Sequence, residues 1–155
     1  MPVRRVIEVL DREHVPYEVL PHLRTNTAQG AAASLHVRGR EFAKSVILKT
    51  EDGRLVMVVV PAPRPVDLAA AERVVGAKLG LAPEGEFKEQ FADCEAGAEP
   101  PFGNLYGMPV YVDESLRKDR EIVFNAGSHD EAIRMRYEDF ERLVQPEVLP
   151  LSRTY

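Results

Sequence analysis

The stretch that decides the fold reads Ala43-Lys44-Ser45-Val46-Ile47-Leu48-Lys49-Thr50, Glu51-Asp52-Gly53-Arg54, Leu55-Val56-Met57-Val58-Val59-Val60-Pro61. Two β-rich runs flank an Asp-Gly step, and that step supplies the positive φ of a tight hairpin turn. The pattern predicts strands over residues 43–50 and 55–61. The second run is apolar at successive positions, so both of its faces must be covered and it belongs inside a sheet.

Towards the N terminus, Thr25 or Thr27 is placed to cap a helix over residues 28–35. Gly30 weakens that helix but lets another backbone approach. Tyr17-Glu18-Val19-Leu20 alternates and reads as a short strand that Pro21 stops. Val3, Val6, Ile7 and Leu10 recur at helical spacing, with Pro2 suited to a first turn and an end near His14, before Val15-Pro16. Towards the C terminus, Asp67 caps a helix over residues 68–75 that breaks at Gly76. Pro83-Glu84 opens a short helix with Phe87 and Phe91 on one side. Residues 93–107 form the longest irregular stretch, of a kind that is often functional. Strands are expected over 109–112, 121–125 and 132–136, and a helix over 137–144. After Pro146 the tail should be loosely held. Mixed strands and helices place the chain in the α/β or α+β class.

The 155 residues suit one compact domain, residues 1–155, and the 45% hydrophobic and 29% charged content is that of a soluble globular protein. No run approaches the ~20 apolar residues that span a bilayer, so no membrane partner is expected. Glu8 and Asp11 follow the basic start too soon for a secretory h-region, which points to the cytoplasm. Cys94 is the single cysteine and cannot form an intramolecular disulfide. His14, His22, His36 and His129 do not pair at metal-ligand spacing, so neither metal nor cofactor is expected. A net charge of −5 argues against broad duplex binding, and hence against DNA. The segment His36-Val37-Arg38-Gly39-Arg40, with Lys44 and Lys49, is locally basic. It is either a solvated loop or the contact for one end of a nucleic acid.

Two features carry chemistry. Lys44 enters an apolar strand, where an ammonium can hold a phosphate or carboxylate at a sheet edge. Gly97-Ala98-Glu99-Pro100-Pro101-Phe102-Gly103 is a stiff loop whose backbone N–H groups can face a reacting carbonyl. Together they suit a small pocket for an anionic ester or acyl compound. Each also has a plainer reading: an exposed strand-end lysine, and a rigid loop over a sheet edge. The turn Gly127-Ser128-His129-Asp130 is either a turn with a helix cap or part of a pocket floor.

The chain resembles the YbaK/prolyl-tRNA synthetase-associated domain family, free-standing and inserted domains that deacylate mischarged tRNA. The resemblance runs from Tyr17 to Leu143. It rests on Thr27-Ala28 before a helix, Ala43-Lys44 entering a strand, Gly97 and Pro101 in a Gly-x-x-x-Pro pattern, Val112-Asp113-Glu114-Ser115-Leu116, and Phe124-Asn125-Ala126-Gly127-Ser128-His129. Ser45, after the lysine, is a position where members differ. The resemblance implies a mixed, partly barrel-like β-sheet surrounded by helices.

It also implies a catalytic set of Lys44, Gly97 and Pro101. Lys44 would bind the phosphate next to the terminal adenosine, and the loop would stabilise the carbonyl oxygen with donors such as Gly97 or Ala98. Ser45, Ala98, Gly127, Ser128, His129 and Asp130 would contact substrate, with the 127–130 turn contacting the aminoacyl amine or the side chain. The neighbouring ribose hydroxyl would help activate water. The expected activity is trans-editing hydrolysis of a mischarged tRNA carrying a small amino acid, the partner being the tRNA acceptor end and, as a further partner, a synthetase. The alternative is a module that binds the tRNA end or an aminoacyl ligand, docked on a synthetase, without turnover. No Gly-x-Ser-x-Gly elbow or Walker loop is present. Cys94 lacks an adjacent base and reads as a packing residue.

Overall fold

The computed structural model describes residues 3–153, so the expectation for Pro2 lies outside the described residues. The hairpin forms as its residues dictate. β2 (Ala43–Thr50) and β3 (Leu55–Pro61) pair antiparallel from Ala43↔Pro61 to Lys49↔Leu55, with Gly53 at φ 88° in the turn. β3 lies inside a five-stranded sheet of order β4-β2-β3-β5-β8, where β4 is Leu79–Leu81, β5 Val110–Asp113 and β8 Glu147–Leu149. Its two neighbours run in opposite senses, β2 antiparallel and β5 parallel. A second, antiparallel sheet has the order β1-β7-β6, from Tyr17–Pro21, Glu131–Arg136 and Glu121–Ser128. The class is mixed α/β. The sheets do not close into a barrel; an isolated parallel bridge, Phe42↔Val123, joins them where β2 begins.

β3 is apolar at every position because its faces serve different cores. Met57 and Val59 join Phe102, Phe124, Ile133 and Phe140 in a cluster drawn from both sheets, which Val6 and Leu10 of α1 (Arg4–Arg12) also enter. Val56, Val58 and Val60 instead meet Ala70 and Ala71 of α3 (Leu68–Val75) and Leu151. Asp67 and Gly76 cap α3 as expected, with Gly76 left-handed at φ 79°. α2 (Ala28–Ser34), capped by the Thr27 side chain, packs Ala31 and Ala32 on Phe42, Val123 and Ala132. A short α4 (Glu84–Phe87) and α5 (Tyr137–Val144) complete the helices among the described residues.

Some expectations fail for tertiary reasons. The tail after Pro146 is not loose: β8 pairs parallel with β5, and Leu151 is buried with its N–H on Asp113 Oδ1 at 2.7 Å. Asp67 N–H in turn donates to Leu151 O, tying the tail to α3. Pro21 ends β1 from within, paired with Glu131 in an outer strand of the smaller sheet. The close neighbour at Gly30 is the Thr25 side chain and not a backbone. β6 runs on past Asn125 to Ser128 through a register shift against β7.

Candidate active site

β4 covers only part of its neighbour. It pairs with Leu48, Lys49 and Thr50, which leaves the first half of β2 without a strand on that side. Backbone direction alternates along β2: Phe42 O accepts from Ala62 N–H, whereas Ile47 O accepts from Ala82 N–H on the opposite edge. Ser45 shares the phase of Ile47, so its N–H and C=O point to the uncovered edge. A cleft of about 370 Å³ lies there, and Lys44, Ser45, Gly97, Glu99 and Asn125 line it.

The Lys44 ammonium is half-buried and donates to Ala62 O at 3.3 Å and Arg64 O at 3.1 Å. An ammonium has three N–H donors, so these carbonyls aim it while one donor stays available. Burial holds its pKa below the ordinary lysine value. Beside it the Ser45 hydroxyl and the Asn125 amide oxygen are buried without a hydrogen-bond partner. Buried polar groups are nearly always satisfied, and orphans converging on one cleft mark places where a ligand supplies the partner.

The loop meets the cleft differently from expectation. Gly97 is exposed at φ 84°, but its N–H donates to Glu99 Oε2 at 2.9 Å, and Ala98 N–H donates to Glu95 O at 3.0 Å. Neither N–H is free to meet a reacting carbonyl, and Ala98 is fully buried. Pro101 does not line the cleft. It leads into Phe102, whose ring centroid lies 5.7 Å from Phe124 and 5.6 Å from Phe140. The Pro-Pro step therefore anchors the loop in the core.

The turn expected at the pocket floor stands behind the loop. Gly127 N–H donates to Ala98 O at 3.0 Å and Glu95 N–H to Gly127 O at 2.8 Å, which staples the loop to the end of β6. Ser128 Oγ donates to Asp130 Oδ1 at 2.8 Å. His129 Nε2 lies 2.6 Å from Ala96 O; a carbonyl only accepts, so this nitrogen carries the proton and is occupied. The imidazole sits under Gly97, where an added Cβ would stand 3.3 Å from His129 Cε1. Gly127 and His129 hold the loop, Ser128 and Asp130 brace the turn, and none of the four lines the cleft. Arg24, paired with Glu95, links the loop to the segment before α2.

Glu99 and Asn125 were not singled out from sequence. Glu99 is only 7% exposed, and burial raises its carboxyl pKa. An acid in a Gly- and Pro-rich loop carries no local signal of burial. Asn125 carried a usable signal, a lone amide in the apolar run Ile122-Val123-Phe124-Asn125-Ala126.

Cys94 lies outside the cleft. Its thiol is 3.5 Å from the Tyr106 hydroxyl, and burial pushes its pKa up to about 12. So little thiolate exists at neutral pH that nucleophilic catalysis has no reagent there. Cys94→Ser is expected to turn over like the wild type per folded molecule; a stable, inactive serine variant together with a trapped thioester would overturn this. Among the described residues no group of three or more His, Cys, Asp or Glu side chains could hold a metal ion. No helix among them is long and apolar enough to cross a membrane.

The model of the aminoacyl-tRNA editing domain matches residues 22–143. The multifunctional Ser/Thr-tRNA deacylase ProXp-y of Escherichia coli strain K12 is 26% identical over 156 residues, covering 97% of this chain and 93% of that protein. The uncharacterized protein YwhH of Bacillus subtilis strain 168 is 27% identical over 109 residues, covering 70% of this chain and 69% of its own. Among solved structures, a candidate trans-editing enzyme for prolyl-tRNA synthetase superposes with a TM-score of 0.84 at 26% identity, covering 98% of this chain and 97% of that one. The hypothetical protein APE2540 superposes with a TM-score of 0.87 at 20% identity over 97% of this chain and 100% of that one, a likeness of fold.

Proposed function

Because the chain belongs to the aminoacyl-tRNA editing domain family, we propose that its cleft hydrolyses the ester between a small, wrongly attached amino acid and the 3′ end of a tRNA, acting in trans. The protein is an ester hydrolase of aminoacyl-tRNA, and its 155 residues act as one editing domain. The observation that carries the reading is the polarity of the cleft, with an aimed ammonium at Lys44 and orphaned polar groups at Ser45 and Asn125 beside it. A binding module without turnover would present the same polar groups; what favours the hydrolase is the family and its deacylase relatives.

Lys44 binds the phosphate adjoining the terminal adenosine. Its free N–H and its charge suit that contact without strict geometry. Water attacks the ester carbonyl, its proton passing towards the neighbouring ribose hydroxyl, and the ribose oxygen leaves with a proton to give free amino acid and uncharged tRNA. The negative charge that builds on the carbonyl oxygen meets the Ser45 N–H at the open edge of β2, with the Ser45 hydroxyl beside it. Gly97 shapes the wall opposite. Pro101, Gly127 and His129 are positioning residues that hold that wall. The E. coli relative is named for serine and threonine, and substrates of that size are the class proposed here. We place the activity in the cytoplasm with the rest of translation, alone or beside a synthetase.

The test is release of amino acid by purified protein from tRNAs bearing alanine, cysteine, serine, threonine or proline; no release from any of them would overturn the reading. Recognition is expected at the acceptor end, given the net charge of −5 and the single local basic segment around Arg38, Arg40 and Lys44. Each neutralised phosphate contributes roughly 0.7–0.9 to the log–log salt slope, so a few contacts produce a shallow dependence. A minihelix with only the acceptor stem should be deacylated nearly as well as whole tRNA. A steep salt slope, or an inert minihelix, would show that contacts extend further.

A further inference from the structure

Two acceptors face the cleft with no cation between them. The first is the carboxylate of Glu99, a residue only 7% exposed that lines both this cleft and the adjoining cavity of Phe87, Phe91 and Cys94, with Oε2 fixed by the Gly97 N–H at 2.9 Å. Among the described residues it forms no ion pair; burial and then Glu84 raise its pKa, while the backbone N–H groups of Gly97 and of Glu99 itself oppose the rise. The second is the Asn125 amide oxygen, on a residue 8% exposed, buried without a donor. The cleft's own ammonium does not serve them: the Lys44 hydrogen bonds run to the carbonyls of Ala62 and Arg64 and its remaining donor bonds neither acceptor. The cleft is thus polarised, with a cation at one wall and, at another, a carboxylate without an ion-pair partner and an amide oxygen without a donor. A buried amide oxygen without a donor is unfavourable, and a buried carboxylate without a counter-charge is stabilised by an arriving cation.

Resting on the deacylase reading, we propose that Glu99, with the Asn125 amide oxygen, binds the α-ammonium group of the aminoacyl ester and so restricts hydrolysis to esters with a free amino group. The substrate has the matching polarity: a phosphate anion on the nucleotide side, and an ammonium one carbon from the reacting carbonyl. Three ammonium N–H donors suit a carboxylate and an amide oxygen together. Burial raises the carboxyl pKa in the empty cleft, and a bound ammonium would lower it again. The Gly97 N–H, which does not face the ester, has its use here in fixing the carboxylate's direction. By seating the ammonium, Glu99 also orients the carbonyl next to it, so a substrate whose nitrogen is neutral or missing binds without that alignment.

The experiment compares an alanyl, seryl or threonyl ester of tRNA with its deaminated α-hydroxy analogue, which replaces the ammonium by a neutral group of similar size. Both are given to the wild type and to Glu99→Gln. A charge-assisted contact corresponds to roughly a 10–150-fold preference in kcat/KM. The wild type should prefer the amino ester by about that factor beyond the two esters' difference in uncatalysed hydrolysis. In Glu99→Gln the preference should collapse, with the amino ester slowed and the α-hydroxy ester hydrolysed as by the wild type. That retained activity also shows that the variant is folded. If Glu99→Gln slows both esters equally, the carboxylate is a general base or a structural group and the proposal falls. An unchanged preference in the variant also sinks it. A wild type that hydrolyses neither ester would instead remove the deacylase reading on which the proposal stands.

Discussion

Lys44→Ala is expected to lower kcat/KM for deacylation by roughly 10–150-fold, the equivalent of losing one charge-assisted phosphate contact of about 1.5–3 kcal/mol. The variant should fold normally. The side chain is half-buried at a solvent-open cleft, and water can take over the Ala62 and Arg64 carbonyls that it leaves. Since burial depresses its pKa, the ammonium loses its proton at lower pH than a free lysine does. The phosphate contact is complete well below that pKa and is lost as pH rises through it. Bound phosphate opposes the loss by stabilising the charged form. Lys44→Arg, which stays charged, should therefore lack the alkaline decline in substrate affinity even where its geometry lowers the rate. The measurements are steady-state deacylation from neutral to alkaline pH, corrected for spontaneous hydrolysis, with circular dichroism as the check on folding. Full activity in a folded Lys44→Ala protein would dismiss the phosphate role.

Gly127→Ala should be strongly destabilising, by about 2–5 kcal/mol, from overpacking and a left-handed backbone together. Gly127 adopts φ 96°, and an added Cβ would overlap the Val3 side chain, its Cγ2 first and its Cβ at 3.1 Å. Neither neighbour can move freely. Val3 N–H is bonded to Ala126 O, and Gly127 itself carries the hydrogen bonds to Ala98 and Glu95 that hold the loop. The denaturant midpoint should fall at unchanged m-value, and residual activity should drop further than the folded fraction does, because the wall of the cleft is displaced. A midpoint equal to the wild type's would show that the β6 bulge and α1 adjust at little cost. Gly53, with open space around its turn and φ 88°, is the comparison: alanine there adds backbone strain without overlap, and the loop over the cleft is untouched.

Local chemistry was legible where residues act on near neighbours. The hairpin of β2 and β3, the Asp67 cap and Gly76 stop of α3, and the span of α5 all follow from turn residues, capping and periodicity. β8 was not legible. Glu147-Val148-Leu149 is too short to show a pattern, and its strand exists because β5 offers an edge and Leu151 a buried place beside α3. The site divides in the same way. Lys44, Ser45 and Gly97 could be named from sequence, and the structure brings them to one cleft. Ala98 and Pro101 lie within the loop without lining the cleft, Pro101 shaping the loop as its residue type implies, and the 127–130 turn stands behind it.

By itself the sequence determined the class and the central strand, because strand alternation, turn φ angles and helix caps are properties of neighbouring residues; Lys44 stood out only through the family resemblance. Only the tertiary structure decided which groups face the cleft and which hold it. The early end of β4 exposes the edge at Ser45, and the Phe42↔Val123 bridge brings Asn125 beside it. The stapling of the loop by Gly127 occupies some N–H groups and leaves Glu99 a buried carboxylate without a cation. Those outcomes depend on hydrogen bonds and burial between segments far apart in the chain, and no local pattern encodes which backbone donor will already be taken.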